Sequence, residues 1–519
     1  MINKQLTQQV LDILRDNSSK LLSSIPSEAV IESDESWKDK ARENFPLIKW
    51  QRVRSLVFPS KKQPIRSLVF SLKNSIYIKD KLSSGGSDSL LYHHPPFSAT
   101  IYERLVQAGA IHICSSALDE FGMGSAGVFC NTGILGNPYD EDRICGGSSS
   151  GAAYLVSKGL VDFAIGTDTG GSIRTPASYC SIYGFKPSFG LVSREGILPL
   201  CTLLDTPSII SNSVGVIAGV LSVISGPDPL DLTTLKSQRR DFHKFPKKPL
   251  KSYLSEDKPE KFSFVVIKEL LQYPEGRTLS QQELELKKNY YNLLNRLKQE
   301  PSCQLSSESF GWIPLDLAEL TYKIIAYSEL ITHYFSLNGI VTPWLGVKGD
   351  NSENLGRSIV NKKALKGFQV SDDYKEKSQI LRDRMGREVQ LRHLVGYFFL
   401  YQSNYQDIYL NARKLMSVYV EKMNNIFSRG KILVSPTTPT IAPLLATYSN
   451  DYQVDNFSSA LLMSNFSGAP AISIPWLEYE AKVHSKASVV YIGLHLTCKR
   501  GEDQYLLSAV KFLESNNLL

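Results

Sequence analysis

An α/β protein built around one large layered domain is the fold that the sequence predicts, and three observations predict it. Strand-like apolar runs alternate with helix-like amphipathic segments from Arg66 through Phe189, the pattern that lays helices on a sheet. With 519 residues, 42% of them hydrophobic and 21% charged, the chain has the composition of an ordinary globular protein and the length for a sizeable core. No internal repeat and no low-complexity block interrupts it.

Taken in order, residues 5–22 carry Leu6, Val10, Leu11, Ile13, Leu14, Leu21 and Leu22 at helical spacing. A polar stretch follows, so residues 1–65 are expected to form a short helical N-terminal segment ahead of a domain spanning 66–519. Residues 66–72 read as a buried strand ending at Lys73, 98–108 as a helix and 110–115 as a short strand. The longest uncharged apolar run, 214–225, is shorter than the roughly 20 residues needed to cross a bilayer. Residues 236–251 break the composition with seven basic residues, two prolines and one acid, Asp241. They read either as a solvated connection or as a patch touching RNA. Beyond them, 262–267 resumes a strand, 279–297 and 316–335 are helices, and 388–423 is one long aromatic-rich helical stretch. Strands are expected at 431–436 and 471–475.

The net charge of +7 permits a nucleic-acid partner without arguing for one. Seven scattered cysteines include no Cys-x-x-Cys pair, which speaks against a zinc site and for a reducing compartment. The N-terminus lacks the charged-then-apolar order of a secretory signal, and Asp12, Asp16 and Glu28 weaken a mitochondrial transit reading. A soluble, intracellular protein is expected.

Two Ser/Gly turns stand out: Gly146-Gly147-Ser148-Ser149-Ser150-Gly151, and Gly166-Thr167-Asp168-Thr169-Gly170-Gly171-Ser172-Ile173-Arg174. Neither ends in the Lys-Ser/Thr of a phosphate-binding loop. Such runs of small residues let backbone N–H groups crowd around a hydroxyl, as an oxyanion hole beside a nucleophilic serine requires. They also suit a loop with no chemistry. A serine nucleophile needs a base, yet none of the eight histidines lies in a motif that marks one, and the pair His93-His94 precedes Pro95-Pro96 in a loop. The alternative base is a lysine kept neutral by burial. Lys73, at the end of an apolar strand and before Asn74-Ser75, is the best candidate. Asp168 and Arg174 flank the second turn and are expected to pair across it.

These residues resemble the amidase signature family, whose hallmark is a Ser-Ser-Lys triad. Phe70-Ser71-Leu72-Lys73-Asn74 is similar to the family's lysine strand, Gly147-Ser148-Ser149 to its bridging-serine loop, and Gly170-Gly171-Ser172-Ile173-Arg174 to its nucleophile turn. Ser148 and Ser172 lie 24 positions apart, and Lys73 and Ser172 lie 99 apart, spacings that match the family. The resemblance implies a central mixed β-sheet sandwiched by helices and a cis Gly147–Ser148 peptide. It implies a catalytic triad of Lys73, Ser148 and Ser172, with the N–H groups of Thr169, Gly170, Gly171 and Ser172 around the oxyanion.

Leu118-Asp119-Glu120-Phe121-Gly122-Met123-Gly124 and Pro96-Phe97-Ser98-Ala99-Thr100-Ile101-Tyr102-Glu103-Arg104-Leu105 are similar to the glutamine-hydrolysing branch of that family. Many of that branch carry a second lysine where Ser115 stands. The resemblance implies glutamine as substrate, with Tyr322 in its pocket and Arg392 on its α-carboxylate. It further implies a heterotrimer with amidotransferase subunits B and C, reaching Glu-tRNA(Gln) through the complex and touching no membrane. No metal or organic cofactor is implied in this chain, ATP and magnesium belonging to a partner subunit. The implied compartment is a bacterial cytoplasm or a mitochondrial matrix. One position departs: the acid expected seven residues before Asn465, which meets the substrate's α-ammonium, is Ser458. Asp455, three residues away, could replace it, or the pocket takes another amide.

Overall fold

The computed structural model describes residues 65–235, 261–271, 278–311, 313–341, 382–428, 431–447, 456–483 and 486–519. The helix expected at 5–22, the basic segment 236–251 and Asp455 lie outside the described residues.

Among the described residues, ten strands form one sheet: β1 (Val69–Lys73), β2 (Ile111–Ser116), β3 (Phe163–Asp168), β4 (Tyr183–Lys186), β5 (Thr206–Ser211), β6 (Phe262–Ile267), β7 (Cys303–Glu308), β8 (Lys431–Pro436), β9 (Ala471–Val483) and β10 (Lys486–Thr497). Their order is β2-β1-β3-β5-β4-β9-β10-β8-β6-β7. The sheet is mixed, as expected. β1 runs parallel to β2 and β3 on either side, β5, β4, β9 and β10 pair antiparallel through the middle, and β6 is parallel to both β7 and β8.

Helices cover both faces. They are α1 (Thr100–Gln107), α2 (Ser150–Ser157), α3 (Arg174–Tyr179), α4 (Val214–Ile224), α5 (Gln281–Gln299), α6 (Leu317–Val341), α7 (Arg387–Leu400), α8 (Asn411–Phe427), α9 (Asn456–Phe466) and α10 (Asp503–Ser515). α5 starts at a capping box in which the Ser280 and Glu283 side chains satisfy each other's backbone N–H. No helix among the described residues is long and apolar enough to cross a membrane.

β1 shows how the sheet positions the site. All five of its residues are buried, as suits a strand flanked on both sides and covered on both faces. Alternation sends Phe70 and Leu72 into the larger core, with Ile101 of α1, Ile217 and Leu221 of α4 and Leu506 of α10. Val69 enters the opposite core, with Ala152, Leu155 and Val156 of α2. By the same period Lys73 leaves the strand on the α2 face, at the carboxyl end of the sheet. A third core joins α6, α8 and α9 over β6 and β8 through Ile325, Tyr419, Met423, Leu462, Val265 and Leu433.

Three details differ from the sequence reading. The expected helix over 388–423 breaks after Leu400: Tyr401 is extended, Gln402 has a φ of 43°, and a π-helical turn at Tyr405–Leu410 leads into α8. No Pro or Gly marks this break. β9 continues past Pro475 to Val483, because a register shift beside Pro475 absorbs its missing N–H. β5, β7, β10, α4, α9 and α10 were not foreseen; β7 is half-exposed and polar, with little apolar signal.

Candidate active site

Lys73 is fully buried at the end of β1. Its Nζ donates to Ser148 Oγ at 2.7 Å and to Thr167 Oγ1, at the end of β3, at 3.0 Å. Burial pushes the amine down to about 8, against the opposing pull of Asp119, Asp205 and Asp168. A neutral lysine is therefore accessible near physiological pH.

Ser148 sits just before α2, after a cis peptide from Gly147. Gly147 has to be glycine, since a Cβ there would lie 2.0 Å from Asp119 Oδ2. Asp119 accepts the N–H groups of Gly127 (3.1 Å) and Phe129 (3.0 Å), and its own N–H donates to the Ser148 carbonyl. Asp119 thus holds the Ser148 segment through its N–H and the neighbouring 127–129 loop through its carboxylate.

The nucleophile turn is held by a second carboxylate. Asp168 and Arg174 are fully buried and paired, with Arg174 Nη2 on Oδ1 at 2.8 Å and Nε on Oδ2 at 2.9 Å, as the sequence led us to expect. Burial alone would raise Asp168, yet the guanidinium and Asn465 hold it well below the usual carboxylate range. Arg174 also donates to the Leu461 carbonyl, Ser464 Oγ and Asn465 Oδ1, tying the turn to α9. Asp168 accepts the N–H groups of Gly171 (2.9 Å) and Ile173 (3.3 Å). This corrects one expectation: the Gly171 N–H is already committed to Asp168. The N–H groups of Thr169, Gly170 and Ser172 make no hydrogen bond among the described residues. Thr169 is steadied from its side chain, which donates to Asp205 Oδ1 at 2.7 Å; burial pushes Asp205 up to about 6.

Ser172 opens into a cavity of about 360 Å³, whose lining also includes Gly170, Gly171, Tyr322, Arg392 and Leu461. Two helices form its outer wall. α6 presents Glu319, Tyr322, Lys323 and Tyr327, and α7 presents Glu388, Leu391, Arg392 and Val395, each set at the i, i+3, i+4 spacing of one helical face. Tyr322 packs on the nucleophile turn so closely that a Cβ at Gly170 would lie 2.9 Å from its ring. Arg392 stacks over Tyr327 at 5.0 Å and gives Nε and Nη2 to Glu388 Oε1 at 2.8 and 2.7 Å. The structure therefore gathers Ser172, Gly170, Gly171, Tyr322 and Arg392 on one cavity, with Lys73 and Ser148 behind it. Ser458 lies on α9 one turn before the lining residues Leu461 and Leu462. No histidine lines this cavity among the described residues.

Sequence reading gave no role to Asp119, Thr167 or Asp205, although Asp119 and Thr167 fall inside motifs it quoted. Thr167 carried a signal as a hydroxyl beside Gly166, and Asp119 as a carboxylate three residues before Gly122. The wall residues Glu319, Lys323 and Tyr327 carried no signal beyond helical spacing.

Known proteins place these features in context. A family model described as Amidase matches residues 50–262 and 303–507. The A subunit of glutamyl-tRNA(Gln) amidotransferase from Mycoplasma pneumoniae (strain ATCC 29342 / M129 / Subtype 1) is 34% identical over 458 residues, covering 87% of this chain and 86% of that protein. The protein of the same name from Prochlorococcus marinus (strain MIT 9211) is 32% identical over 440 residues, covering 84% and 81%. Among solved structures, the corresponding A subunit from Thermotoga maritima superposes with a TM-score of 0.63 at 23% identity, covering 95% of each chain. The native peptide amidase of Stenotrophomonas maltophilia superposes with a TM-score of 0.69 at 19% identity, covering 99% of this chain and 96% of that one. These two share the fold.

Proposed function

The chain belongs to the amidase family, and from that premise we propose that it is the glutaminase subunit of a glutamyl-tRNA(Gln) amidotransferase. The observation that carries the chemistry is the 2.7 Å contact between buried Lys73 and Ser148, set behind a cavity that Ser172 lines.

In this reading neutral Lys73 takes the proton of Ser148, and Ser148 takes that of Ser172 as Ser172 Oγ bonds to the carboxamide carbon of glutamine. The N–H groups of Thr169, Gly170 and Ser172 receive the oxyanion. The tetrahedral intermediate collapses with cleavage of the C–N bond, and the proton held on Lys73 returns through Ser148 to the departing nitrogen, which leaves as ammonia. The γ-glutamyl ester on Ser172 is then hydrolysed by a water whose proton follows the same relay, releasing glutamate and restoring Ser172. Arg392 engages the α-carboxylate, trading its bond to Glu388 for the substrate, and Tyr322 closes the pocket above Gly170.

The sequence similarity to the A subunits of such amidotransferases, over most of the chain, supports this assignment. In the same reading the chain works with subunits B and C and passes ammonia to the partner that amidates Glu-tRNA(Gln). ATP and magnesium are assigned to that partner, and the triad itself calls for no metal or organic cofactor. The compartment assigned is the bacterial cytoplasm, with the mitochondrial matrix as the alternative. A second reading, a stand-alone amidase for another amide, is favoured by one observation: Ser458 stands where an acid was expected.

Glutamine hydrolysis by the chain co-expressed with its genomic partners, beside Ser172→Ala, separates the two. Activity that needs the partners and vanishes in the variant supports the amidotransferase reading. Silence on glutamine, with a fluorophosphonate still labelling Ser172, supports the stand-alone amidase.

A further inference from the structure

The cavity wall holds two carboxylates in unequal states. Glu388 Oε1 is occupied by the Arg392 fork, at 2.8 and 2.7 Å. Glu319 has one oxygen engaged, Oε1, which lies 2.6 Å from Lys323 Nζ one turn along α6. Its other oxygen, Oε2, has no hydrogen-bond partner among the described residues, although the residue is only 6% exposed. Leaving a buried carboxylate oxygen unanswered is unfavourable. The i,i+4 pair with Lys323 accounts for one oxygen, and nothing among the described residues accounts for the other.

Glu319 lies three residues before Tyr322 and lines the same cavity as Ser172 and Arg392. A free α-amino acid brings a carboxylate and an ammonium on one carbon, so a site that selects it needs a cation and an anion close together. Arg392 supplies the first. Position 458 does not supply the second, since it is serine. Glu388, unlike Glu319, has no buried oxygen left unanswered among the described residues. We propose that Glu319 is the substrate-binding acid of this pocket, its unpartnered oxygen accepting the α-ammonium of glutamine. The assignment rests on the glutaminase reading and adds its missing specificity determinant. Lys323 stays on the opposite oxygen and keeps Glu319 oriented when substrate enters.

The test uses the complex co-expressed with its partners and two amides: glutamine, and glutaramate, which keeps the carboxamide and the carboxylate but lacks the α-amino group. Glu319→Gln preserves shape and removes the charge. The glutamine KM should rise about tenfold to a hundredfold, the range expected when a hydrogen bond to a charged group is lost. The kcat for glutamine should change little, since binding of ground and transition states is lost together. Hydrolysis of glutaramate, slow in both proteins, should not change. Glu319→Asp, which keeps the charge on a shorter arm, should fall between them. Fluorophosphonate labelling of Ser172 at the wild-type rate checks that each variant keeps its pocket.

An unchanged glutamine KM in Glu319→Gln overturns the assignment, and so does an equal loss on both amides, which would mark a structural role. A wild-type complex that labels at Ser172 yet ignores glutamine overturns the glutaminase reading, and the assignment with it. In that case the failure lies with the substrate and not with Glu319.

Discussion

At the Ser172 end of the cavity the charged side chains are fully buried and answered several times over, whereas on the helical wall each is paired along its own helix. Asp168 takes two contacts from Arg174, two backbone N–H groups and the Asn465 amide. Arg174 reaches α9 and His495 besides. On the wall, Lys323 and Glu319 form an i,i+4 pair, as do Arg392 and Glu388. The first arrangement fixes atoms to within a fraction of an ångström, as catalysis demands. In the proposed function the second lets Arg392 leave Glu388 for a substrate carboxylate while Lys323 stays on Glu319. The proposed chemistry thus draws on the last residue of β1, the segment before α2 and the turn after β3, and the proposed recognition on helix faces outside the sheet.

The largest effect should come from the inner region. Ser172→Ala and Lys73→Met are expected to lower kcat for every amide by at least about 10⁴-fold, the scale seen when a nucleophile or its base is removed. Steady-state kinetics on glutamine and on a simple carboxamide read this directly. A variant that lost glutamine alone would break the division between the two regions.

Next is the pH profile. Burial sets the Lys73 amine at about 8, and in the proposed mechanism the neutral form is the base. Protonation below that pH therefore removes the active form, so kcat/KM should fall about tenfold per unit, reaching roughly a hundredfold at pH 6. Both amides should share the profile, because the base serves each alike. A flat rate from pH 6 to 9 would contradict Lys73 as the base.

Arg392→Lys moves to the outer wall. An ammonium lacks the planar fork that matches a carboxylate, so the glutamine KM should rise about tenfold with kcat nearly kept. A simple carboxamide without a carboxylate should not notice the change.

How far each region was legible in the sequence follows the same divide. The inner site depends on residue types with few substitutes, such as Gly147 against Asp119 or the paired Asp168 and Arg174, so short motifs at fixed spacing announce it. Two strands toward one edge of the sheet were legible for a related reason: β6 and β8 are short apolar runs with sharp ends. Glu319, Lys323 and Tyr327 needed only to lie on one helical face, which the sequence shares with countless surface helices. Their role came from the tertiary placement of α6 beside α7. The break after Leu400 was hidden because Tyr401 and Gln402 have side chains that any helix accepts. The half-exposed, polar β7 gave no periodicity to read.

The smallest effect tests the one point where the regions touch. Tyr322 lies against Gly170, so its ring belongs to the inner geometry and its hydroxyl to the pocket. Tyr322→Phe keeps the ring and should raise the glutamine KM by about fivefold or less, the worth of one ordinary hydrogen bond. Gly170→Ala should instead lower kcat, because the new methyl collides with the ring and shifts the turn that carries Ser172. Combining Gly170→Ala with Tyr322→Ala gives the methyl room and should recover part of that kcat, a non-additivity expected only of residues in contact. Strict additivity would mean that the collision is relieved elsewhere, and that the helical wall senses the nucleophile turn by some route other than Tyr322.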